Sequence, residues 1–314
     1  MQNAHLGDIP DLRRSTFGYS VAMSLIDATA RAQENRRGIS AMLLAMALFL
    51  LNDTLVKWVS ADLPSGQLIF LRGAMACVWL LILCAQRGLL SQWRTLSDRA
   101  VWQRGLLDGT ASLTYLTALF HLPLANATAI NLASPLFILV LAVLFFGERL
   151  AWVRTLAALV GFAGVLLVAR PSAEGFNVYA WLCVLGTALH AGRDVMTRRI
   201  QPQVPGLLIT LATAFCVTLM SGLWSITEPW APIGATAWLW LGLASLCLSG
   251  AYYLIILAMR HGDMSLIAPF RYSALLYAVV LGYLVWGETP DALTWLGIAL
   301  LVSAGLSLIW SNRR

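Results

Sequence analysis

The sequence predicts an all-α membrane protein of ten transmembrane helices, arranged as two inverted five-helix repeats. Three observations predict it. Of 314 residues, 59% are apolar and 11% charged, against about 25% charged in an average soluble domain, so a soluble surface of this size cannot be covered. The apolar runs recur at close to the roughly 20 residues that a bilayer-crossing helix requires. Finally, the chain matches itself at a shift of 140 or 141 residues. Asp53 meets Asp194, Lys57 meets Arg198 and Pro64 meets Pro205. Further along, Ala118 meets Ala258, His121 meets His261, Gly147-Glu148 meets Gly287-Glu288 and Gly164 meets Gly305. Each copy holds five helices, an odd number, so the second copy enters the bilayer from the opposite face.

In chain order, residues 1–38 read as a cytoplasmic tail, with Asp8, Asp11, Arg13, Arg14, Asp27, Glu34, Arg36 and Arg37 around a weak apolar stretch and no signal-peptide pattern. Met23 is an alternative start to Met1. Residues 39–170 form the first repeat, with helices near 39–60, 67–86, 102–121, 125–146 and 152–169. Residues 177–310 form the second, with helices near 177–197, 206–226, 235–259, 264–286 and 292–310. The breaks carry turn chemistry at Pro64-Ser65-Gly66, Pro171-Ser172, Pro202 to Gly206, and Glu228 to Pro232. Orientation follows from basic residues. With the N-terminus inside, sixteen arginines fall on the cytoplasmic side, and the outer side keeps only Arg170 and Lys57. Both termini are therefore expected in the cytoplasm, and the protein in a bacterial inner membrane.

Several function classes are disfavoured. The net charge of +6 is not gathered on a polar face as in a nucleic-acid binder. The five cysteines lie inside apolar runs without zinc spacing and read as small buried hydrophobes. No Gly-x4-Gly-Lys-Ser/Thr phosphate loop, His-Glu-x2-His or Gly-x-Ser-x-Gly motif occurs. An ATP-driven pump and a membrane enzyme are disfavoured on that ground, and no cofactor or metal is expected. A receptor is disfavoured because most loops are short.

Asn52-Asp53-Thr54-Leu55-Val56-Lys57 closing the first helix, Phe70-Leu71-Arg72-Gly73 in the second, and Gly-Glu after the fourth and ninth helices resemble the drug/metabolite transporter superfamily, in its branch with two EamA-type domains. The resemblance covers about residues 39–310. It implies a ten-helix secondary transporter of a small molecule; the Asn-Asp-x3-Lys stretch looks most like members handling S-adenosylmethionine or riboflavin. Arg72 departs from the repeat, since Thr213 occupies its counterpart position.

Ionised side chains at mid-bilayer cost about 2.5 to 3.5 kcal/mol each on insertion scales. Asp53, Arg72, Arg193, Asp194 and Arg271 must therefore be paired, near an end, or facing water. Asp53 reads as a substrate or proton site, or as a structural partner of Lys57 or Arg72. Spacing of four residues lets Asp53 with Lys57, and Asp194 with Arg198, neutralise themselves, while Lys57 is expected to snorkel. Arg193 and Asp194 point about 100° apart on a helix, so one of them is expected to face a central cavity. Arg271 and Tyr272 follow Pro269, where a helix break is expected; Asn131 and Pro135 are the first-half equivalents. Tyr115, Tyr252, Tyr253 and Tyr277 are candidate cavity liners. Asp108 reads as a solvated helix end, and His190 as a structural neighbour of Asp194. Glu148 and Glu288 read as turn stabilisers, Gly161, Gly164, Gly297 and Gly305 as points of close helix approach.

The expected substrate or coupling-ion site therefore comprises Asn52, Asp53, Arg72, Tyr115, Asn131, Arg193, Asp194, Arg271 and Tyr272. Its slight cationic excess suits a zwitterionic or carboxylate-bearing metabolite, including amino acids and opine-like chelators. Movement by alternating access is expected, driven by protons or exchange, in a monomer or homodimer, with export favoured. Uptake of a cofactor-type metabolite is the alternative.

Overall fold

The computed structural model describes residues 11–146, 152–169, 178–197, 199–260 and 268–311. Every regular element among them is helical: α1 Asp11–Val59, α2 Ser65–Gln86, a 3-10 segment Leu89–Ser97, α3 Arg99–His121, α4 Leu124–Asn131, α5 Ser134–Phe146, α6 Trp152–Ala169, α7 Val178–Thr197, α8 Gly206–Ser225, α9 Ala235–Arg260, a second 3-10 segment Ala268–Tyr272, α10 Ser273–Trp286 and α11 Ala292–Ser311. Four stretches, Gln33–Val59, Ser65–Gln86, Gly206–Ser225 and Ala235–Ile255, are long and apolar enough to cross a membrane; shorter apolar stretches lie in α4–α5, α6, α10 and α11. α3 and α7 fall outside both groups, because their interiors carry Arg104 and Asp108, and Arg193 and Asp194.

Two elements expected as single helices are interrupted. Residues 125–146 divide at Leu132 and Ala133, and residues 264–286 contain a 3-10 segment that gives way to α10 at Ser273. At the first break the backbone tightens, with Ala133 N bonding Ile130 O at 3.0 Å and Leu136 N bonding Ala133 O at 2.9 Å. Pro135 has no N–H to return to Asn131, so the α-helical ladder loses a rung there and an i to i−3 pattern takes over. The sequence pattern does not predict the 3-10 segment between α2 and α3.

α1 packs on α9, α3 on α7 and α8, α2 on α8 and α9, α5 on α7, α10 on α1 and α4, and α6 on α11. The α6–α11 contact is backbone on backbone. A Cβ on Gly164 would meet the Gly297 carbonyl oxygen at 2.7 Å, and one on Gly297 would meet that of Gly164 at 2.8 Å, the close approach that small residues permit between membrane helices. Facing outward are Leu44, Val78, Leu81, Leu159, Phe215, Leu219 and Leu239, with Trp58, Trp93, Trp102, Trp230 and Trp295 near helix ends. An apolar belt edged with tryptophan suits a lipid surround.

Candidate functional site

Two polar clusters occupy the interior. In the first, Asn52 and Asp53 sit on the last two turns of α1. Asn52 Nδ2 donates to Asp53 Oδ1 at 2.9 Å, and Tyr115 of α3 donates its hydroxyl to Asp53 Oδ2 at 3.3 Å. Arg72 enters from α2 and donates through Nη1 to Asn52 Oδ1 at 3.2 Å. Its residue is only 5% exposed, yet Nε has no hydrogen-bond partner. Asn52 is thus a neutral relay between a guanidinium and a carboxylate. Tyr252 of α9 lies within electrostatic reach of Arg72, and its ring meets Phe49 of α1 edge-on at 5.3 Å.

The second cluster centres on Arg193 of α7. Its Nη1 lies 2.5 Å from Asp108 Oδ1 of α3, while Nε and Nη2 reach Asp194 Oδ1 at 2.9 and 2.8 Å. His190, one turn earlier, places Nε2 3.9 Å from Asp108 and Nδ1 3.4 Å from Asn131 Oδ1, where α4 ends. The Tyr115 and His190 rings, 5.9 Å apart, join the two clusters. One turn below Asp108, Arg104 donates Nε to Thr197 Oγ1 at 2.8 Å and Nη1 to Thr213 Oγ1 at 2.5 Å. Three aspartates, Asp53, Asp108 and Asp194, thus accompany three arginines, Arg72, Arg104 and Arg193. Burying any one alone would cost several kcal/mol. Access is uneven: Asp108 is 2% exposed, whereas the Asp194 side chain keeps 30%.

One end of the bundle is tied across elements by two glutamates. Gly287 takes a left-handed conformation, φ +67°, and ends α10. A residue without Cβ is favoured there, and the turn aims Glu288 inward. Glu288 Oε2 accepts the Leu124 N–H at the start of α4 at 2.8 Å, and Oε1 pairs with Lys57 Nζ at 2.8 Å. Lys57 also donates to Leu122 O at 2.6 Å and rests over the Trp286 ring at 4.5 Å. Glu228, in the turn after α8, accepts the Gly66 N–H at 2.8 Å and so caps α2. Beside this knot Ser60, Ser65, Phe120, His121 and Trp286 help to line a recess of about 450 Å³.

Of the expected site residues, the structure brings Asn52, Asp53, Arg72 and Tyr115 into one cluster and Asn131, Arg193 and Asp194 into the other. Arg271 is exposed, Tyr272 is half-buried, and no described contact joins either to the clusters. Several expectations are corrected. Asp108 is a buried partner of Arg193 and not a solvated end. Arg193 and Asp194 do not separate, because the long guanidinium folds back along the helix and spans both carboxylates. Lys57 neither pairs with Asp53 nor snorkels; it is consumed by Glu288 and a carbonyl. Glu288 stabilises another element's start in addition to its own turn, while Glu148 and Arg198 lie outside the described residues. Asp108 and Arg104, four residues apart and so on one face of α3, are interior groups outside the expected site, as are His190 and Tyr252, which lie beside the two clusters.

Two segments of the chain, residues 36–170 and 177–310, each match the EamA-like transporter family. The chain belongs to that family. As a member it is a multi-pass membrane protein that transports small molecules. Among curated relatives of this EamA-like transporter, a pseudopaline exporter of Pseudomonas aeruginosa is 29% identical over 280 residues, 87% of this chain and 96% of that protein. An S-adenosylmethionine uptake transporter of Rickettsia bellii is 29% identical over 88% of this chain and 94% of that one. A riboflavin transporter of Rhizobium johnstonii is likewise 29% identical, over 93% and 98%. A crystal structure of a protein with 23% identity superposes with a TM-score of 0.62 over 90% of this chain and 99% of its own, a likeness of fold. Among the described residues no group of three or more His, Cys, Asp or Glu could hold a metal ion.

Proposed function

We propose that this chain is a secondary transporter that exports a small zwitterionic or carboxylate-bearing metabolite by alternating access, through ten spans built as two inverted five-helix repeats. The carrying observation is the buried ionic network at the centre of the bundle. Such groups are costly in a membrane and are retained where a polar solute must cross. Repeat symmetry is supported by the packing. Under the 140-residue shift, α1 on α9 is the counterpart of α7 on α3, α2 on α9 of α8 on α3, and α5 on α7 of α10 on α1. The pairing of α2 with α8, and of α6 with α11, maps onto itself. Ring pairs follow suit, since Phe49 against Tyr252 joins α1 to α9 and His190 against Tyr115 joins α7 to α3. Helix breaks recur at equivalent places, Asn131 to Ser134 and Tyr272 to Ser273.

The arginine bias supports both termini lying in the cytoplasm, and a bacterial inner membrane is the proposed setting; in that orientation the end tied by Glu288 and Glu228 faces outward. The Lys57–Glu288 pair ties that end across α1 and α10, and outward opening there is expected to part it. Relatives named as a pseudopaline exporter, an S-adenosylmethionine uptake transporter and a riboflavin transporter support a small metabolite as the substrate; the first of them supports export, and the second supports the alternative, uptake of a cofactor-type metabolite. Reconstitution tests the reading: liposomes containing the protein should accumulate metabolites from a bacterial extract above protein-free liposomes, with an imposed proton gradient or preloaded metabolite raising the rate. Equal contents in both would end the transport reading.

A further inference from the structure

We infer that Arg72 is the group that recognises the substrate's carboxylate, that Asp53 beside it faces the substrate's amine, and that the Asp108–Arg193–Asp194 triad is a brace without that role. The inference rests on the transport reading above and goes further by dividing the site.

The ground is the unequal satisfaction of two buried guanidinium groups. A guanidinium carries five N–H donors and needs acceptors for them when buried. Arg193 has two carboxylates, with three of its nitrogens engaged at 2.5 to 2.9 Å. Arg72 is more deeply buried and, among the described residues, makes one long bond to a neutral amide oxygen, while its Nε has no partner. A buried unsatisfied donor costs about 1 to 3 kcal/mol, more when charged, so a native chain that keeps one holds it for an acceptor that arrives. A carboxylate matches the guanidinium fork in charge and geometry. The acceptor cannot come from Asp53 without displacing Asn52, which stands between them and already binds both. Asp53 in turn accepts from a neutral amide and a phenol, leaving a carboxylate with lone pairs for an ammonium group. The Asp53 carboxylate on α1 and the Arg72 guanidinium on α2 meet at one relay residue, Asn52, so the paired head of an amino-acid-type metabolite is the fitting ligand. Tyr115 and Tyr252 flank it.

The test uses the full chain in liposomes and three portions of one bacterial metabolite extract, with the lumen read by mass spectrometry. One portion is untreated, one has carboxylates blocked as methyl esters, and one has amines acetylated. The wild type should accumulate compounds from the untreated portion and lose them, about tenfold or more, from either treated portion. In Arg72→Gln the preference for untreated over esterified compounds should collapse toward unity, while Asp53→Asn should do the same for acetylation. A purely structural role would lower all uptake together and leave those ratios alone. Arg72→Lys, which keeps the charge without the planar fork, should retain a reduced preference, and the wild-type selectivity is read without any variant. Uptake by the wild type that ignores esterification would overturn the inference and leave the transport reading standing. No uptake by the wild type would overturn both.

Discussion

Residues 52–53 and 193–194 stand 141 positions apart, and each pair binds itself in the same way. The first residue donates to the carboxylate of the second at 2.9 Å, through an amide in Asn52-Asp53 and a guanidinium in Arg193-Asp194. The difference lies in where the positive charge sits. In the second pair it belongs to the donor itself, and Asp108 comes across from α3 to complete it. In the first pair the donor is neutral, and the charge arrives from α2 on Arg72, one bond removed from its carboxylate. An Asn for Arg exchange on a common scaffold thus turns a closed ionic knot into an open one. Closed knots hold helices together, whereas an open one has capacity for a ligand.

Breaking the closed knot should have the largest effect. Arg193→Met leaves Asp108 buried without its main cation and should cost about 3 to 5 kcal/mol of unfolding free energy in detergent micelles. Adding Asp108→Leu to it should recover most of that loss, since an apolar replacement of a whole buried pair is often neutral; a double variant no more stable than the single one would show that the triad is not the brace described. Glu288→Gln removes the ion pair with Lys57 while keeping an oxygen for Leu124 N–H, and about 1 to 2 kcal/mol should be lost. Arg72→Gln removes an incompletely satisfied charge but leaves Asp53 without its nearest cation, one bond away; the two effects partly offset, so the loss should stay well below that of Arg193→Met, with retained expression and impaired flux. A loss as large as that of Arg193→Met would erase the contrast between the two knots.

Much of this was legible in the chain. Composition and run length give membrane helices, the 140-residue shift aligns Gly287-Glu288 with Gly147-Glu148, and Asn52, Asp53, Arg72, Tyr115, Asn131, Arg193 and Asp194 stand out as polar groups in apolar runs. Proline placement also pointed to the break near Asn131. Partners were not legible. Lys57 is four residues from Asp53, an ideal local pair on paper, yet it is drawn to Glu288, 231 positions away. The position of Asp108 close to the helix start suggested solvent, but the start of α3 is covered where Ala100 and Val101 pack with Leu96, Ile200, Val204 and Ala212. The proline beside Arg271 suggested a place in the site, and the residue is exposed, with no described contact to either cluster.

The sequence by itself determined the solvent this protein lives in, the helical form of its spans and the inventory of charges that must be accommodated. Those follow from the free energy of transferring each residue into lipid, a property summed along the chain. Only the tertiary structure decided which charge answers which. An ion pair depends on distances of 2.5 to 4 Å between side chains from different helices, and those distances are set by how the helices pack. That packing completes Arg193, diverts Lys57, and leaves one edge of Arg72 waiting.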